Sequence, residues 1–315
     1  MTLIPISATP TGLSLGRPDV GPPEQAIAAA LAETPVGAPI VIMVHGKGYS
    51  PSSTTRDPHT LIFAPRPGHG RSRYVSWPRR LGFALPGPRK PLGLCFAFGW
   101  ESSGALWRAT ASADATAPNL SRLVQIIRRI EPDRKIDLIG HSLGARVILG
   151  ALPLLAAQTV HRVILLAGAD FTTRAERART SHAGRTAEFL NITTRENDLY
   201  DFLFERAFAP LGGRFALGHG LQSGPNWLDI QLDNPATDAA LRRLGLPLAA
   251  PQSRICHWSV YLRPGVFRFY RALIHDRERL TLPLLQRSLS APPEPRWSRL
   301  TQDAQRFRPM PQQVG

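Results

Sequence analysis

Apolar runs alternate with amphipathic segments along most of the chain. Runs rich in aliphatic residues, which are typical of strands buried on both faces of a parallel sheet, cover 39–44, 92–100, 135–140, 162–168 and 187–194. Helix-forming or helically spaced residues lie between and after them, at 24–32, 118–130, 145–157, 199–204, 235–244 and 264–274. This alternation predicts the α/β class, with a mainly parallel sheet covered by helices on both faces.

Segments without this periodicity divide the chain. Residues 1–37 are predicted to be an N-terminal segment with at most a short edge strand, 38–280 the main domain, and 281–315 a Pro- and Arg-rich tail. Within the domain, 51–92 is interpreted as a loop insertion that carries arginines and interleaved aromatic residues. It is expected either to border the active site as a rim or lid, or to form a surface loop. Residues 209–235 are Gly-rich, and no element is predicted for most of them.

The strand predicted at 135–140 ends in a Gly-x-Ser-x-Gly pattern centred on Ser142 and continues into a predicted helix. A strand–turn–helix of this kind holds its serine in a strained backbone conformation, and close packing leaves no room for a Cβ at Gly140 or Gly144. The amide of Leu143 then points at any oxyanion formed beside the serine. Ser142 is therefore the predicted nucleophile, and an ordinary tight turn is the alternative.

The strand predicted at 39–44 ends in a second glycine-containing loop, residues 45–50. Backbone amides in such a loop can face a cavity, and in a serine hydrolase they supply the second oxyanion donor. The amide of Lys47 is the predicted donor, with Gly48 as the alternative. The same residues also suit an ordinary strand-to-helix turn.

A serine hydroxyl needs a histidine to take its proton and a carboxylate to orient that histidine. The strand topology imposes the chain order serine, acid, histidine. Asp198 is the predicted acid because it closes a strand two βα units beyond the elbow, although an aspartate there is also a good helix N-cap. The alternatives are Asp170, one strand earlier, and Glu196 and Asp201 nearby.

The predicted base is His257, in a late stretch that leads into a strongly apolar helix. His219 lies in a Gly-rich loop and His275 at a helix end, and both are weaker candidates. His141, within the elbow, is expected to pack or to border the pocket. A lone histidine can also have a purely structural role.

Composition restricts the remaining function classes. The chain has 315 residues, 43% of them hydrophobic, and a net charge of +15 that is nearly all arginine. This charge could attract nucleic acid, anionic lipid or an acidic substrate, but no zinc-finger spacing, RNP-type motif or helix-turn-helix accompanies it. Two cysteines, no apolar run long enough to cross a bilayer and no basic-then-apolar leader favour a cytoplasmic location. Metal-ligand spacing and a phosphate-binding glycine motif are absent from the sequence.

The His45-Gly46 loop, the elbow at residues 140–144, an acid after a later strand and a late histidine resemble the α/β-hydrolase superfamily over residues 38–275. With Ala145-Arg146 after the elbow, the chain is similar to bacterial lipase- or esterase-like members. The resemblance implies hydrolysis of an ester or related acyl bond through an acyl-enzyme, without a cofactor. In one respect the chain departs from the family pattern: only about 38 residues precede the first clear parallel strand. The antiparallel start of the sheet is therefore expected to be reduced or missing.

The sequence thus predicts a serine hydrolase that acts on a small acyl ester or lipid-like substrate. Ser142, His257 and Asp198 form the predicted triad, with Lys47 and Leu143 as oxyanion donors. Two other classes stay open: a catalytically silent hydrolase-like binding protein, and a basic protein that docks on anionic membranes through 51–92. The acyl group, the leaving group and the oligomeric state do not follow from the sequence.

Overall fold

The structure, a computed structural model, describes residues 2–16, 21–66, 74–84, 93–221, 224–289 and 291–300. Its strands are β1 (Leu3–Thr9), β2 (Gly12–Leu15), β3 (Ile40–Val44), β4 (Leu94–Gly99), β5 (Ile136–His141), β6 (Arg162–Leu166), β7 (Glu188–Thr193) and β8 (Trp227–Gln231). Its α-helices are α1 (Glu24–Glu33), α2 (Trp77–Arg80), α3 (Leu106–Ile130), α4 (Leu143–Ala151), α5 (Thr172–Arg179), α6 (Asp198–Phe208), α7 (Pro235–Arg243), α8 (Ser259–Leu262), α9 (Val266–His275) and α10 (Leu282–Ser288).

The described strands form one sheet in the order β2-β1-β4-β3-β5-β6-β7-β8. Only β2 runs antiparallel, against β1, and the other neighbours pair in parallel. The chain therefore has an α/β-hydrolase fold, as predicted. The order steps outward from β3 and β5 in both directions, so the loops after these central strands meet at one edge, where ligands bind in such sheets.

Alternate side chains of the central strands pack into two cores. Ile42 of β3 faces a core that includes residues of α1, α3, α4 and α5. Its neighbours Val41 and Met43 face a second core on the other side, with residues of α7, α9 and α10. Because both faces are covered, the strands contain nearly continuous apolar runs, which explains why the sequence pattern identified them.

Both flanking segments contribute to the folded domain. The edge hairpin β1–β2 lies within residues 1–37, and β1 pairs with β4 in parallel, so the sheet has a short antiparallel start. At the other end, Leu285 of α10 is fully buried in the second core. Arg296 also forms an ion pair with Glu205 of α6. Residues 301–315 of the predicted tail lie outside the described residues.

The insertion at 51–92 is described only in part, since 67–73 and 85–92 lie outside the described residues. Three of its four aromatic residues, Phe63, Trp77 and Phe83, are at most 1% exposed and pack in the second core. The described part of the insertion is thus anchored to the domain. Tyr74, the fourth aromatic residue, lines the cavity described below.

Candidate active site

Ser142 lies in the turn between β5 and α4, with φ of 54° and ψ of −123°. A residue with a side chain rarely adopts this conformation, which costs about 1–3 kcal/mol. Backbone hydrogen bonds hold it in place: the Ser142 amide donates to the Leu166 carbonyl, and the Ser142 carbonyl accepts from the amides of Ala145 and Ala169, each at 3.0 Å. The turn has the strain that the sequence predicts for a nucleophile.

Close approach around this turn explains its glycines. A Cβ on Gly140 would lie 2.9 Å from the carbonyl of Gly144, and a Cβ on Gly144 would lie 2.4 Å from the carbonyl oxygen of Val44. Neither position has room for a side chain, as predicted. A Cβ on Gly46 would likewise lie 2.9 Å from the Cβ of Ser142. The loop after β3 therefore packs directly against the serine.

The loop after β3 leaves one amide available at the serine. The Gly48 amide donates to the Ser102 carbonyl at 2.9 Å, so Gly48 is not free to bind an oxyanion. Among the described residues, the amide of Lys47 has no hydrogen-bond partner. The amide of Leu143 is at the first position of α4, where helix amides have no partner within the helix. Lys47 and Leu143 are thus the two donors that the geometry leaves open.

Side chains from the loop after β4 fix this arrangement. Nε2 of the buried His45 accepts from the Trp100 amide at 3.1 Å, which leaves Nδ1 to donate to the Gly46 carbonyl at 2.8 Å. The Trp100 indole donates to the His45 carbonyl at 2.9 Å and stacks on the imidazole. The Ser102 hydroxyl lies 3.0 Å from the Gly46 carbonyl and accepts from the Tyr49 amide at 3.0 Å. The sequence analysis did not identify Trp100 or Ser102.

The imidazole of His257 is oriented by an amide and not by a carboxylate. Nδ1 of His257 lies 2.6 Å from Oδ1 of Asn197, and the Asn197 amide group donates to Asp201 at 3.0 Å. With its amide nitrogen on Asp201, Asn197 presents its oxygen to His257, and Nδ1 of His257 must then carry the proton. Nε2 of His257 is then left as an acceptor.

The structure does not bring Asp198, the predicted acid, to His257. Its carboxylate pairs with Arg195 at 3.2 Å and accepts from the Trp297 amide at 2.7 Å. Asp198 is the first residue of α6, and its side chain turns away from the cavity lining, to which the adjacent Asn197 contributes. The sequence pattern does not single out Asn197, because the residue that orients a catalytic histidine is ordinarily a carboxylate.

The alternative candidates also have partners elsewhere. Asp170 is fully buried and pairs with Arg146 at 2.8 Å and with Arg174 at 3.2 Å. His219 lies 3.4 Å from Glu205, and His275 bonds to the carbonyl of Leu81 at 2.8 Å. Glu196 lies 3.3 Å from the Ser253 amide. Of these alternatives only Asp201 reaches the His257 network.

Two histidines face each other beside the serine. The rings of His141 and His257 are 4.6 Å apart, and Nε2 of His141 bonds to the His257 carbonyl at 3.2 Å. Burial lowers the pKa of His141 to about 4, and burial together with His141 holds the pKa of His257 well below its ordinary value. Burial raises the pKa of Asp201 to about 7, against the effect of Arg296 and Arg195. Both imidazoles are therefore neutral at pH 7.

These groups open into one cavity of about 910 Å³. Its lining brings together Ser142, Leu143, Lys47, Asn197 and His257. Most of the remaining lining is aromatic or aliphatic, and it consists of Gly48, Tyr49, Arg56, Leu61, Tyr74, Leu106, His141, Ala167, Ala169, Tyr200, Asp201, Leu203, Phe204, Trp258, Tyr261 and Leu262. Within the described part of the chain no hydrogen bond reaches the Ser142 hydroxyl, a contact that often forms only when substrate is bound.

Within the residues that the structure describes, no three His, Cys, Asp or Glu side chains are grouped so as to hold a metal ion. No helix in that part of the chain is long and apolar enough to cross a bilayer. Cys95 and Cys256 are both free thiols, the first buried and the second half-buried. The cytoplasmic location stays a prediction.

Comparison with known families gives one match. Residues 90–198, which contain β4 to β7 and the elbow, match the model of a family described as alpha/beta hydrolase of unknown function (DUF900). None of the proteins with curated functions is detectably similar to the chain.

Solved structures with similar folds share little sequence with the chain. The lin2722 gene product of Listeria innocua is 13% identical, with 74% of this chain and 92% of that protein aligned and a TM-score of 0.38. A cutinase from Trichoderma reesei with a bound phosphonate inhibitor is 19% identical, with 46% and 61% aligned and a TM-score of 0.25. The phospholipase PlaB from Legionella pneumophila is 15% identical, with 56% and 43% aligned and a TM-score of 0.29. Similarity at this level does not extend to function.

Proposed function

Because the chain is an α/β hydrolase by fold, we propose that it is a serine hydrolase that cleaves an ester or related acyl bond. The observation that carries the proposal is the strained Ser142, which lines one cavity together with the imidazole of His257. A serine in this conformation costs stability, and such strain persists where the surrounding structure requires it. A reactive hydroxyl at this position would account for a backbone conformation that otherwise only lowers stability.

In this proposal Ser142 attacks the substrate carbonyl while Nε2 of His257 takes its proton. The amides of Lys47 and Leu143 stabilise the negative oxygen of the tetrahedral intermediate. The protonated His257 then donates to the leaving group, the acyl bond breaks and an acyl-enzyme remains. Water repeats the sequence on the acyl-enzyme, which releases the acid and restores Ser142. These steps need no metal or cofactor.

Asn197 takes the part that the sequence analysis gave to Asp198. An amide oxygen can hold Nδ1–H of His257 and so fix the reactive tautomer, but it supplies no negative charge to the imidazolium. Asp201 lies one hydrogen bond further away and is 5% exposed. Its hydrogen bond to the Asn197 amide nitrogen keeps that amide from flipping. We therefore assign Asn197 and Asp201 to the orientation of His257.

The test is hydrolysis of a short p-nitrophenyl ester by the purified chain. We expect a burst of p-nitrophenol equal to the enzyme concentration, followed by slower turnover, because the acyl-enzyme accumulates. Ser142→Ala should abolish both phases without changing the thermal unfolding temperature by more than a few degrees. Ser52→Ala, at an exposed position outside the cavity lining, is the matched control and should retain both phases.

The second candidate function is that of a catalytically silent binding protein. It is favoured by Asn197, because an amide in the place of a carboxylate supplies no negative charge to the imidazolium of His257. Such a protein would bind an acyl compound in the cavity without attacking it. It would give neither a burst nor turnover with any ester, thioester or amide of a graded panel. That result, obtained with folded protein, would reject the hydrolase proposal.

A further inference from the structure

The mouth of the cavity combines an apolar wall with two cations. Leu203, Trp258 and Leu262 line the cavity and yet are 52%, 46% and 41% exposed. Exposed apolar side chains grouped at a cavity indicate contact with an apolar ligand. They come from α6, α8 and the residue before α8, on the side of His257.

The two cations belong to the segment that follows β3. Lys47 follows β3 and Arg56 lies in the loop beyond it, and both are exposed residues of the cavity lining. Among the described residues neither side chain has an acidic partner. The acidic residue in this lining, Asp201, is 5% exposed and hydrogen-bonded to Asn197. The charge presented to a ligand at the mouth is therefore positive.

We infer that the substrate is an amphiphile: an acyl ester or thioester that joins an apolar chain to an anionic group such as a phosphate, sulfonate or carboxylate. The inference rests on the proposed function and narrows its substrate class. A cavity of about 910 Å³ has room for a chain of many carbons, and its walls offer that chain aliphatic and aromatic contacts. The anionic group then lies at the mouth, between Arg56 and the side chain of Lys47.

The test compares thioesters that differ only in charge. S-decanoyl mercaptoethanol is the neutral reference, and S-decanoyl mercaptoethanesulfonate carries the anion on the leaving group. A third substrate, the mercaptoethanol monothioester of sebacic acid, carries it on the acyl part, so the two anionic arms show which side of the scissile bond is charged. Hydrolysis breaks the acyl carbon–sulfur bond, and the released thiol is measured with a chromogenic disulfide.

We expect kcat/KM for at least one anionic substrate to exceed that for the neutral reference by about three- to tenfold at low salt. The preference should shrink as salt is added, because exposed charges are screened. Arg56→Gln should lower this preference by about threefold, because the loss in kcat/KM falls mainly on the anionic substrates. Arg129→Gln is the matched control, since it removes an exposed arginine of α3 outside the cavity lining, and it should have no effect.

Equal kcat/KM for the neutral and both anionic substrates would overturn the inference while leaving the hydrolase proposal intact. An Arg56→Gln effect of the same size on neutral and anionic substrates would overturn it too. Failure to hydrolyse even the neutral thioester, with no difference between the chain and Ser142→Ala, would instead reject the proposed function.

Discussion

Nδ1 of His257 lies 2.6 Å from the side-chain oxygen of Asn197, where the sequence predicts a carboxylate. This contact fixes the tautomer of the imidazole without placing a negative charge beside it. The pKa of His257 is accordingly held well below its ordinary value by burial and by His141, with no adjacent carboxylate to raise it. A neutral imidazole down to weakly acidic pH is the direct consequence.

The first prediction concerns the pH dependence of the reaction. The acid limb of kcat/KM reports the protonation of His257, which removes the base. Because its pKa lies below 6.5, the chain should keep its full kcat/KM as the pH falls to 6.5. Asn197→Asp places a carboxylate against the imidazole and should raise this pKa by about one unit or more. The acid limb should therefore move to higher pH, as measured from pH–rate profiles of an ester substrate.

Asp198→Asn is the matched control for this shift. It removes a carboxylate one residue away that pairs with Arg195 and not with His257. We expect a lower unfolding temperature and an unchanged acid limb. If instead Asp198→Asn moved the limb and Asn197→Asp did not, Asp198 would be the residue that orients His257.

The second prediction concerns the oxyanion loop. Ser102→Ala removes the hydroxyl that contacts the Gly46 carbonyl and accepts from the Tyr49 amide. The Gly46 carbonyl keeps His45 as a donor, but among the described residues the Tyr49 amide is left without a partner, at a cost of about 1–3 kcal/mol. The Lys47 amide should then be less well fixed. We expect kcat to fall about ten- to a hundredfold with little change in KM, since the contact is made to the transition state.

Ser103→Ala tests whether this effect is specific. Ser103 is adjacent in sequence, but within the described part of the chain its hydroxyl bonds only to Glu101, at the surface. The kinetic constants of this variant should match those of the unmodified chain. If Ser102→Ala raised KM and left kcat unchanged, the loop would bind substrate without stabilising the oxyanion.

The third prediction separates a structural aspartate from a functional one. Asp170 is fully buried and joins Arg146 of α4 to Arg174 of α5. At pH 8, Asp170→Asn should lower the free energy of unfolding by about 2 kcal/mol or more, because it removes the buried carboxylate from the half-buried guanidinium groups of Arg146 and Arg174. The pH–rate profile should not move. Asp114→Asn, whose side chain also pairs with Arg146 but is 40% exposed, should cost less stability. A shifted profile for Asp170→Asn would return it to the catalytic candidates.

The sequence identified the buried strands and the elbow because their patterns are local. Large apolar residues mark β3, β5 and β6, and the glycines around Ser142 follow from steric requirements that hold for any sheet. The start of α3 is harder to predict from the sequence. It begins at Leu106, twelve residues before the predicted start, and its first half buries Ala109, Ala113 and Ala117 against α4. Small residues four apart form a helix face without a strong apolar signal.

The remaining differences depend on tertiary contacts. β8 is a five-residue strand within a Gly-rich region, and it is recognised only by its pairing with β7. The predicted acid, Asp198, and the residue that contacts His257, Asn197, are neighbours at the start of α6. Which of the two side chains faces His257 is decided by the pairing of Arg195 with Asp198 and by the contact of Asn197 with Asp201. Neither contact can be predicted from the residue types alone.

Covalent labelling with a fluorophosphonate, followed by peptide mapping, tests the reactivity of Ser142 most directly. The probe reacts with a serine only when a base activates its hydroxyl. We predict one labelled peptide, which contains Ser142, and loss of labelling in Ser142→Ala and in His257→Gln, each checked for folding. Labelling that persists in folded Ser142→Ala, or no labelling of the unmodified chain, would contradict the account.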